Sequence, residues 1–128
     1  MMRILAILSC LLFPLGVAAQ DQEIVISVGD DQVAQGGAIM RGLDRISGKT
    51  VDFEIAPGAK HVYERLEVGL TECRYPEGQE EVEASAYLVI RDVREDEPAF
   101  EGWMFASSPA LSALDHPRYD VWVLSCKI

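Results

Sequence analysis

Basic residues are scarce in this chain of 128 residues, which has 11 lysines and arginines against 21 aspartates and glutamates. Proteins that bind nucleic acids or anionic lipid headgroups attract phosphates with clustered positive charge. The formal net charge of -10 therefore argues against both kinds of partner. Glycine and proline are also sparse, with 10 and 6 residues, and no segment repeats at a fixed period, which excludes low-complexity and repeat architectures. With 49% hydrophobic residues, the sequence predicts one globular domain.

Metal ligands and cofactor-binding motifs are equally sparse. A zinc site needs three or four convergent nitrogen or sulfur ligands, and the chain has only His61, His116 and three cysteines. The acidic segments 77–83 and 92–97 do not follow the twelve-residue pattern of a calcium loop, and no glycine-rich phosphate loop is present. We expect neither a metal nor another cofactor.

A long apolar run occurs at the beginning of the sequence. Arg3 is followed by apolar residues over 4–17, and the small residue Ala19 suits the position before a signal-peptidase cleavage site. A membrane anchor needs about 20 uninterrupted apolar residues, whereas Pro14 interrupts this run. We therefore predict a cleaved secretory signal peptide over residues 1–19 and no membrane insertion of the mature chain.

Cleavage would remove Cys10 and leave two cysteines, Cys73 and Cys126. In the oxidising compartment reached by exported proteins, such a pair usually forms a disulfide. Neither cysteine lies in a C-x-x-C motif or beside a histidine, which disfavours a redox or nucleophilic role. We predict a disulfide between Cys73 and Cys126, which would stabilise the fold by about 4 kcal/mol on the loop-entropy model.

Alternation of apolar and polar residues predicts a series of short β-strands. The clearest is Val51–Ile55, where the period of two is strict. The turn-like residues Arg45–Gly48 join it to residues 39–44, so the two segments are expected to form a hairpin. Residues 29–37 are expected to form a loop. Further strands are predicted at 24–28, 66–73, 84–93, 100–106 and 119–126.

One short helix is predicted near residues 109–115. Ser108 suits the N-cap and Pro109 the first turn, and Leu111 and Leu114 share one helical face with Ala110. Six or seven short strands with one small helix predict an all-β fold, either a small antiparallel sandwich or a closed barrel. The chain is thus divided into a signal peptide (1–19), an N-terminal strand and loop (20–37) and a single β domain (38–128).

Two predicted strands have apolar residues at consecutive positions, Gly102–Ala106 and Val121–Leu124. A strand with one solvated face needs apolar residues only at alternate positions. The predicted helix could cover the additional apolar face, or a partner protein or an apolar ligand could dock there, because exposed aromatic patches mark interaction sites. The predicted contact residues are Trp103, Phe105, Leu111, Leu114 and Trp122.

A serine hydrolase is a weaker alternative. Ser107 or Ser108, with His116 and either Asp115 or Asp120, supplies the residue types of a catalytic triad. The sequence has no G-x-S-x-G elbow, and adjacent side chains on an extended segment point in different directions. The serines also have a sufficient local role as helix caps, so we expect the protein not to be an enzyme.

Four segments resemble a family of exported alphaproteobacterial proteins catalogued as domain of unknown function 2155. They are Arg41–Gly48, Leu66–Cys73, Gly102–Leu114 and Pro117–Leu124. The tryptophan-containing motif near the C-terminus is the most distinctive, and the resemblance spans about residues 38–127. It implies a periplasmic location but no known activity. The genomic setting associated with the family implies an accessory role beside respiratory NADH dehydrogenase, at the outer face of the inner membrane.

These inferences predict a periplasmic, non-enzymatic accessory or scaffolding protein that acts through protein–protein contacts. The expected partner is an envelope protein, with a respiratory membrane complex as one candidate. The alternative is a small-ligand-binding β domain that holds its ligand in a barrel mouth.

Overall fold

The structure is a computed structural model that describes residues 31–128, and these residues form two antiparallel β-sheets packed face to face. The strands in this part of the chain are β1 (Gln32–Val33), β2 (Ala38–Asp44), β3 (Thr50–Ile55), β4 (Lys60–Tyr63), β5 (Leu66–Tyr75), β6 (Ser85–Asp92), β7 (Phe100–Phe105) and β8 (Tyr119–Cys126). The five-stranded sheet has the order β1-β5-β6-β7, with β4 also paired to β5, and the three-stranded sheet has the order β3-β2-β8.

The core lies between the two sheets. Buried and half-buried residues alternate along β6 and, for most of its length, along β8, so each strand presents one row of side chains to the interior. The buried rows are Ala86, Leu88 and Ile90 in β6, and Tyr119, Val121 and Val123 in β8. Because the strands form two separate sheets whose buried rows meet in one hydrophobic cluster, the fold is a sandwich rather than a closed barrel.

The predicted β2–β3 hairpin is confirmed. Met40 lies opposite Phe53 in the antiparallel register, and both side chains are buried. In the turn, the Asp44 carboxylate accepts a hydrogen bond from the backbone N–H of Ile46 at 2.9 Å. Gly48 closes the turn at a φ of 73°, a conformation that glycine adopts without a steric penalty.

The predicted disulfide between Cys73 and Cys126 is present. Cys73 lies in β5 of the five-stranded sheet and Cys126 ends β8 of the three-stranded sheet, and both residues are buried. The bridge therefore connects the two sheets through the core.

The prediction of a short helix near 109–115 is wrong, since residues 31–128 contain no helix and this segment forms turns. Residues 106–118 connect the end of β7 to the start of β8, which lie at opposite ends of the sandwich. The connection must therefore advance about 20 Å, roughly the length of a strand. From 113 to 116 exposed and buried residues alternate, with Leu114 and His116 in the core, and this period of two is that of an extended segment rather than a helix.

Two further strands were not predicted. Part of the expected 29–37 loop is the short strand β1, which pairs with Arg74 and Tyr75 of β5. The strand β4 pairs with the beginning of β5, although only its last residue, Tyr63, is buried. The strand predicted at 24–28 lies outside the described residues. Within residues 31–128, no helix is long and apolar enough to span a membrane.

Candidate functional site

The two tryptophans predicted to form one contact region lie on opposite sides of the sandwich. Trp103 lies opposite Tyr87 of β6, and its neighbour Met104 points into the core, so Trp103 faces outward from the five-stranded sheet. Trp122 lies opposite Arg41 of β2, between the buried Val121 and Val123, and faces outward from the three-stranded sheet. The predicted residues therefore belong to at least two separate surfaces.

Trp103 is half-buried and held by side chains of β5 and β6. Its ring meets the Tyr87 ring edge-to-face, with centroids 5.4 Å apart and an interplanar angle of 80°. The Arg74 guanidinium carbon lies 5.9 Å from the centre of the Trp103 ring. Arg74 Nε also donates to Glu72 Oε1 at 2.9 Å, which fixes the guanidinium beside the indole. These contacts orient Trp103 while leaving part of its surface open to solvent.

Trp103 lines a shallow depression on the outer face of the five-stranded sheet, which we call the aromatic hollow. Its lining residues are Asp31, Arg74, Ser85, Trp103 and Phe105. The hollow has a volume of about 230 Å³, below the range of roughly 300–1,000 Å³ that is usual for small-molecule pockets. Its size and aromatic wall suit one or two side chains of another protein.

Trp122 has a different environment, which comes from the connection 106–118. Pro109, Ala110 and Ala113 lie beside Trp122 and line a second depression of about 280 Å³ with it. Of the remaining predicted contact residues, Leu111 is 76% exposed, whereas Leu114 is 3% exposed and belongs to the core. Leu114 therefore does not contribute to an outer surface of the protein.

The histidine considered for catalysis forms a buried contact at the other end of the sandwich. The Nδ1 atom of His116 accepts hydrogen bonds from the backbone N–H groups of Arg118 and Tyr119, both at 3.1 Å. The proton of the neutral ring is therefore on Nε2, which donates to Asp92 Oδ2 at 2.9 Å. The pKa of Asp92 is lowered to about 2, chiefly by this hydrogen bond and then by the backbone N–H of Arg94. Both ring nitrogens are engaged, so neither is free to act as a general base.

The other residues of the hypothetical triad are not brought to His116. Ser107 Oγ donates to Glu83 at 3.3 Å, and Asp120 forms an ion pair with Arg45 at 3.6 Å. Asp115 is exposed. Within the part of the chain that the structure describes, no group of three or more histidine, cysteine or acidic side chains could hold a metal ion.

Several residues of the aromatic hollow were missed by sequence reasoning. The alternation of β6 does indicate that Tyr87 faces away from the buried Leu88. Nothing in the sequence, however, places Arg74 or Asp31 near Trp103, because these contacts depend on strand order and register. The hollow is therefore a product of the topology.

These features define a small antiparallel β-sandwich with a disulfide between its sheets and an oriented aromatic surface on one outer face. The family described as "Uncharacterized protein conserved in bacteria (DUF2155)" has a model that matches residues 38–126, and the chain belongs to this family. The matched region contains β2 to β8, including Trp103 and both cysteines of the disulfide. No curated protein and no solved structure matches the chain.

Proposed function

We propose that this protein is an exported, non-enzymatic accessory protein that binds another protein of the bacterial envelope through the aromatic hollow. The observation that carries the proposal is the oriented, half-buried Trp103 at an open depression. Tryptophan, tyrosine and arginine are the residues most enriched among those that dominate binding energy at protein interfaces. Trp103, Tyr87 and Arg74 lie together at this surface.

The rigidity of this group favours recognition. Binding normally costs about 0.5–1.5 kcal/mol for each flexible side chain that becomes immobilised. Trp103 is already oriented by Tyr87 and by the Arg74–Glu72 pair, so immobilising its side chain on binding costs less free energy. A partner would gain contact with the indole with little rearrangement of the sheet.

Export to the periplasm is supported by the signal-peptide pattern of residues 1–19 and by the disulfide between Cys73 and Cys126. Disulfides persist in oxidising compartments and are rare in the cytosol. We take an inner-membrane complex with a periplasmic face, such as a respiratory complex, as the first partner to test.

A small-ligand site is less well supported by the geometry. The hollow is open and below the usual size of such sites, and the space between the sheets is filled by core side chains. The histidine-based hydrolase also lacks a free ring nitrogen on His116. We therefore place the function at the outer surface.

Capture of the tagged mature protein from chemically cross-linked cell envelopes tests the proposal. Trp103→Ala should lose a stoichiometric partner, while Trp122→Ala, which removes the outward tryptophan of the other sheet, should keep it. Both variants should stay folded, with melting temperatures lowered by similar amounts, because both indoles are half-buried. Equal partner recovery with both variants would remove the aromatic hollow as the contact surface.

A further inference from the structure

We infer that the partner presents to the aromatic hollow a basic segment carrying an apolar anchor residue. This inference rests on the proposed function and adds the chemistry of the partner. The inference follows from the charged residues in and around the hollow, whose positions depend on the strand order.

Within the described part of the chain, the hollow itself carries one negative charge that no salt bridge pairs. Of its two charged residues, Arg74 is neutralised by its 2.9 Å contact with Glu72. Asp31 is exposed and forms no salt bridge with any lysine or arginine among residues 31–128. The Asp31 carboxylate thus lies at the edge of an apolar depression, and no cation among residues 31–128 compensates it.

The loop between β5 and β6, residues 76–84, carries further negative charge and joins the two strands that contribute Arg74 and Ser85 to the hollow. We call it the acidic loop, and its carboxylates are Glu77, Glu80, Glu81 and Glu83. None of the four forms a salt bridge within the described residues. The loop ends immediately before Ser85, which lines the hollow.

Two hydrogen bonds hold the acidic loop. The backbone N–H of Cys126 donates to the Glu80 carbonyl at 2.9 Å, next to the disulfide. Glu83 accepts a hydrogen bond from Ser107, two residues beyond Phe105 of the hollow. The Glu83 carboxylate therefore lies beside the hollow, while Glu77 and Glu80 line a separate depression with Gln32 and Tyr75, the residues that follow Asp31 and Arg74 of the hollow.

A basic segment complements both parts of this surface. Lysine and arginine can pack their aliphatic stems or cationic heads against an indole ring while their charges reach nearby carboxylates. Complementary charge also raises the association rate and makes binding sensitive to salt. An apolar side chain between two basic residues could fill the hollow while the basic residues reach Asp31 and the acidic loop.

The experiment uses three blocked eight-residue peptides of alternating sequence, in which leucine alternates with lysine, glutamate or serine. Each is labelled with fluorescein and titrated with the mature protein at low and high salt, with anisotropy as the readout. The charge-reversal variant is Glu77→Lys/Glu81→Lys. Its matched control is Glu95→Lys/Glu97→Lys, which makes the same change of charge in the exposed β6–β7 loop at the other end of the sandwich.

We expect the lysine–leucine peptide to bind most tightly and to weaken with salt. Its Kd should rise about tenfold or more in Glu77→Lys/Glu81→Lys and in Trp103→Ala, but less than about threefold in the control. If both charge-reversal variants weaken peptide binding equally, the peptide is attracted only by the net negative charge of the protein, and the inference is wrong.

The remaining outcomes separate this inference from the proposed function. The glutamate or serine peptide could instead bind through Trp103 at least as tightly as the lysine peptide. That result would contradict a basic partner but would still support the aromatic hollow as the binding surface. Lysine-peptide binding that is independent of Trp103 contradicts the surface itself. If none of the three peptides binds, the inference of a basic partner segment is wrong. The envelope capture then tests separately whether the aromatic hollow is the contact surface.

Discussion

The Nε2 atom of His116 lies 2.9 Å from Oδ2 of Asp92, and this buried hydrogen bond joins the connection just before β8 to the last residue of β6. The other ring nitrogen, Nδ1, accepts hydrogen bonds from the backbone N–H groups of Arg118 and Tyr119. Arg45 adds a hydrogen bond to the His116 carbonyl from the turn of the β2–β3 hairpin. His116 therefore fixes the end of the 106–118 connection and the direction in which β8 begins.

Replacing His116 with alanine should destabilise the protein substantially. The change leaves the Asp92 carboxylate and two backbone N–H groups without their partner, and His116 is 5% exposed. Since an unsatisfied buried polar group costs about 1–3 kcal/mol, we expect the free energy of unfolding to fall by at least about 2 kcal/mol. Urea denaturation measures this change. Asp115→Ala, at the exposed neighbouring position, is the control, and an equal effect of the two substitutions would refute this role of His116.

Acid should weaken the fold through two aspartates. The pKa of Asp44 is lowered to about 2, chiefly by its hydrogen bond with Arg118, and that of Asp92 is lowered to about 2, chiefly by His116. In the unfolded chain both pKa values are about 3.9. A carboxylate with a lower pKa in the folded state stabilises the protein above the unfolded pKa and loses this effect as the pH falls toward the folded pKa. We therefore expect stability to decrease between about pH 4 and pH 2.

The double variant Asp44→Asn/Asp92→Asn tests this origin of the acid sensitivity. It should be less stable than wild type at neutral pH but should lose less further stability on acidification. Urea midpoints measured at several pH values through this window give the comparison. Parallel curves for the two proteins would assign the acid sensitivity to other groups.

Gly42 is required by the close approach of Tyr63 from the opposite sheet. A Cβ atom at position 42 would lie 2.5 Å from Cζ of the Tyr63 ring. The ring is held between Phe53 and Tyr119, so it cannot easily move away. Gly42→Ala should reduce the free energy of unfolding by about 1–3 kcal/mol, the usual cost of overpacking. Gly69→Ala is the control because its Cβ would meet no atom closer than 3.4 Å, and equal stability of the two variants would contradict the proposed crowding.

Loss of the disulfide should destabilise the sandwich. The bridge closes a loop with a sequence separation of 53 and joins the two sheets. On the loop-entropy model, Cys73→Ser/Cys126→Ser should lower the free energy of unfolding by about 4 kcal/mol. Wild-type protein unfolded in the presence of a reductant should show a comparable shift in urea midpoint. A midpoint unchanged in both experiments would mean that the bridge contributes nothing to stability.

Local pattern was sufficient to predict most of the strands. The strict alternation of Val51–Ile55 and the turn at Gly48 identified the β2–β3 hairpin, because both signals lie within a few residues of each other. The disulfide was predictable because only two cysteines remain after the expected cleavage. Strand β4 was not predicted because Tyr63 is its only buried residue, so its sequence shows almost no alternation of apolar and polar residues.

The contacts of the candidate sites depended on distant parts of the chain. Asp115 and Asp120 lie close to His116 in sequence, but Asp92 binds its ring because β6 ends where β8 begins. The helix expected at 109–115 had suitable cap residues, yet Leu114 and His116 enter the core at alternate positions, which requires an extended chain there. In the same way, the sequence predicts one contact region that contains Trp103 and Trp122. The structure places the two residues in different sheets.

The most direct test of the central proposal is site-specific photo-cross-linking in living cells. A benzoylphenylalanine residue at Glu101, exposed on the outer face beside Trp103, is compared with one at Glu54, exposed on the outer face of the three-stranded sheet. We expect a discrete cross-linked envelope protein from position 101 that disappears with Trp103→Ala, and no such product from position 54. The same product from both positions, or one from position 101 that persists in Trp103→Ala, would contradict the proposal.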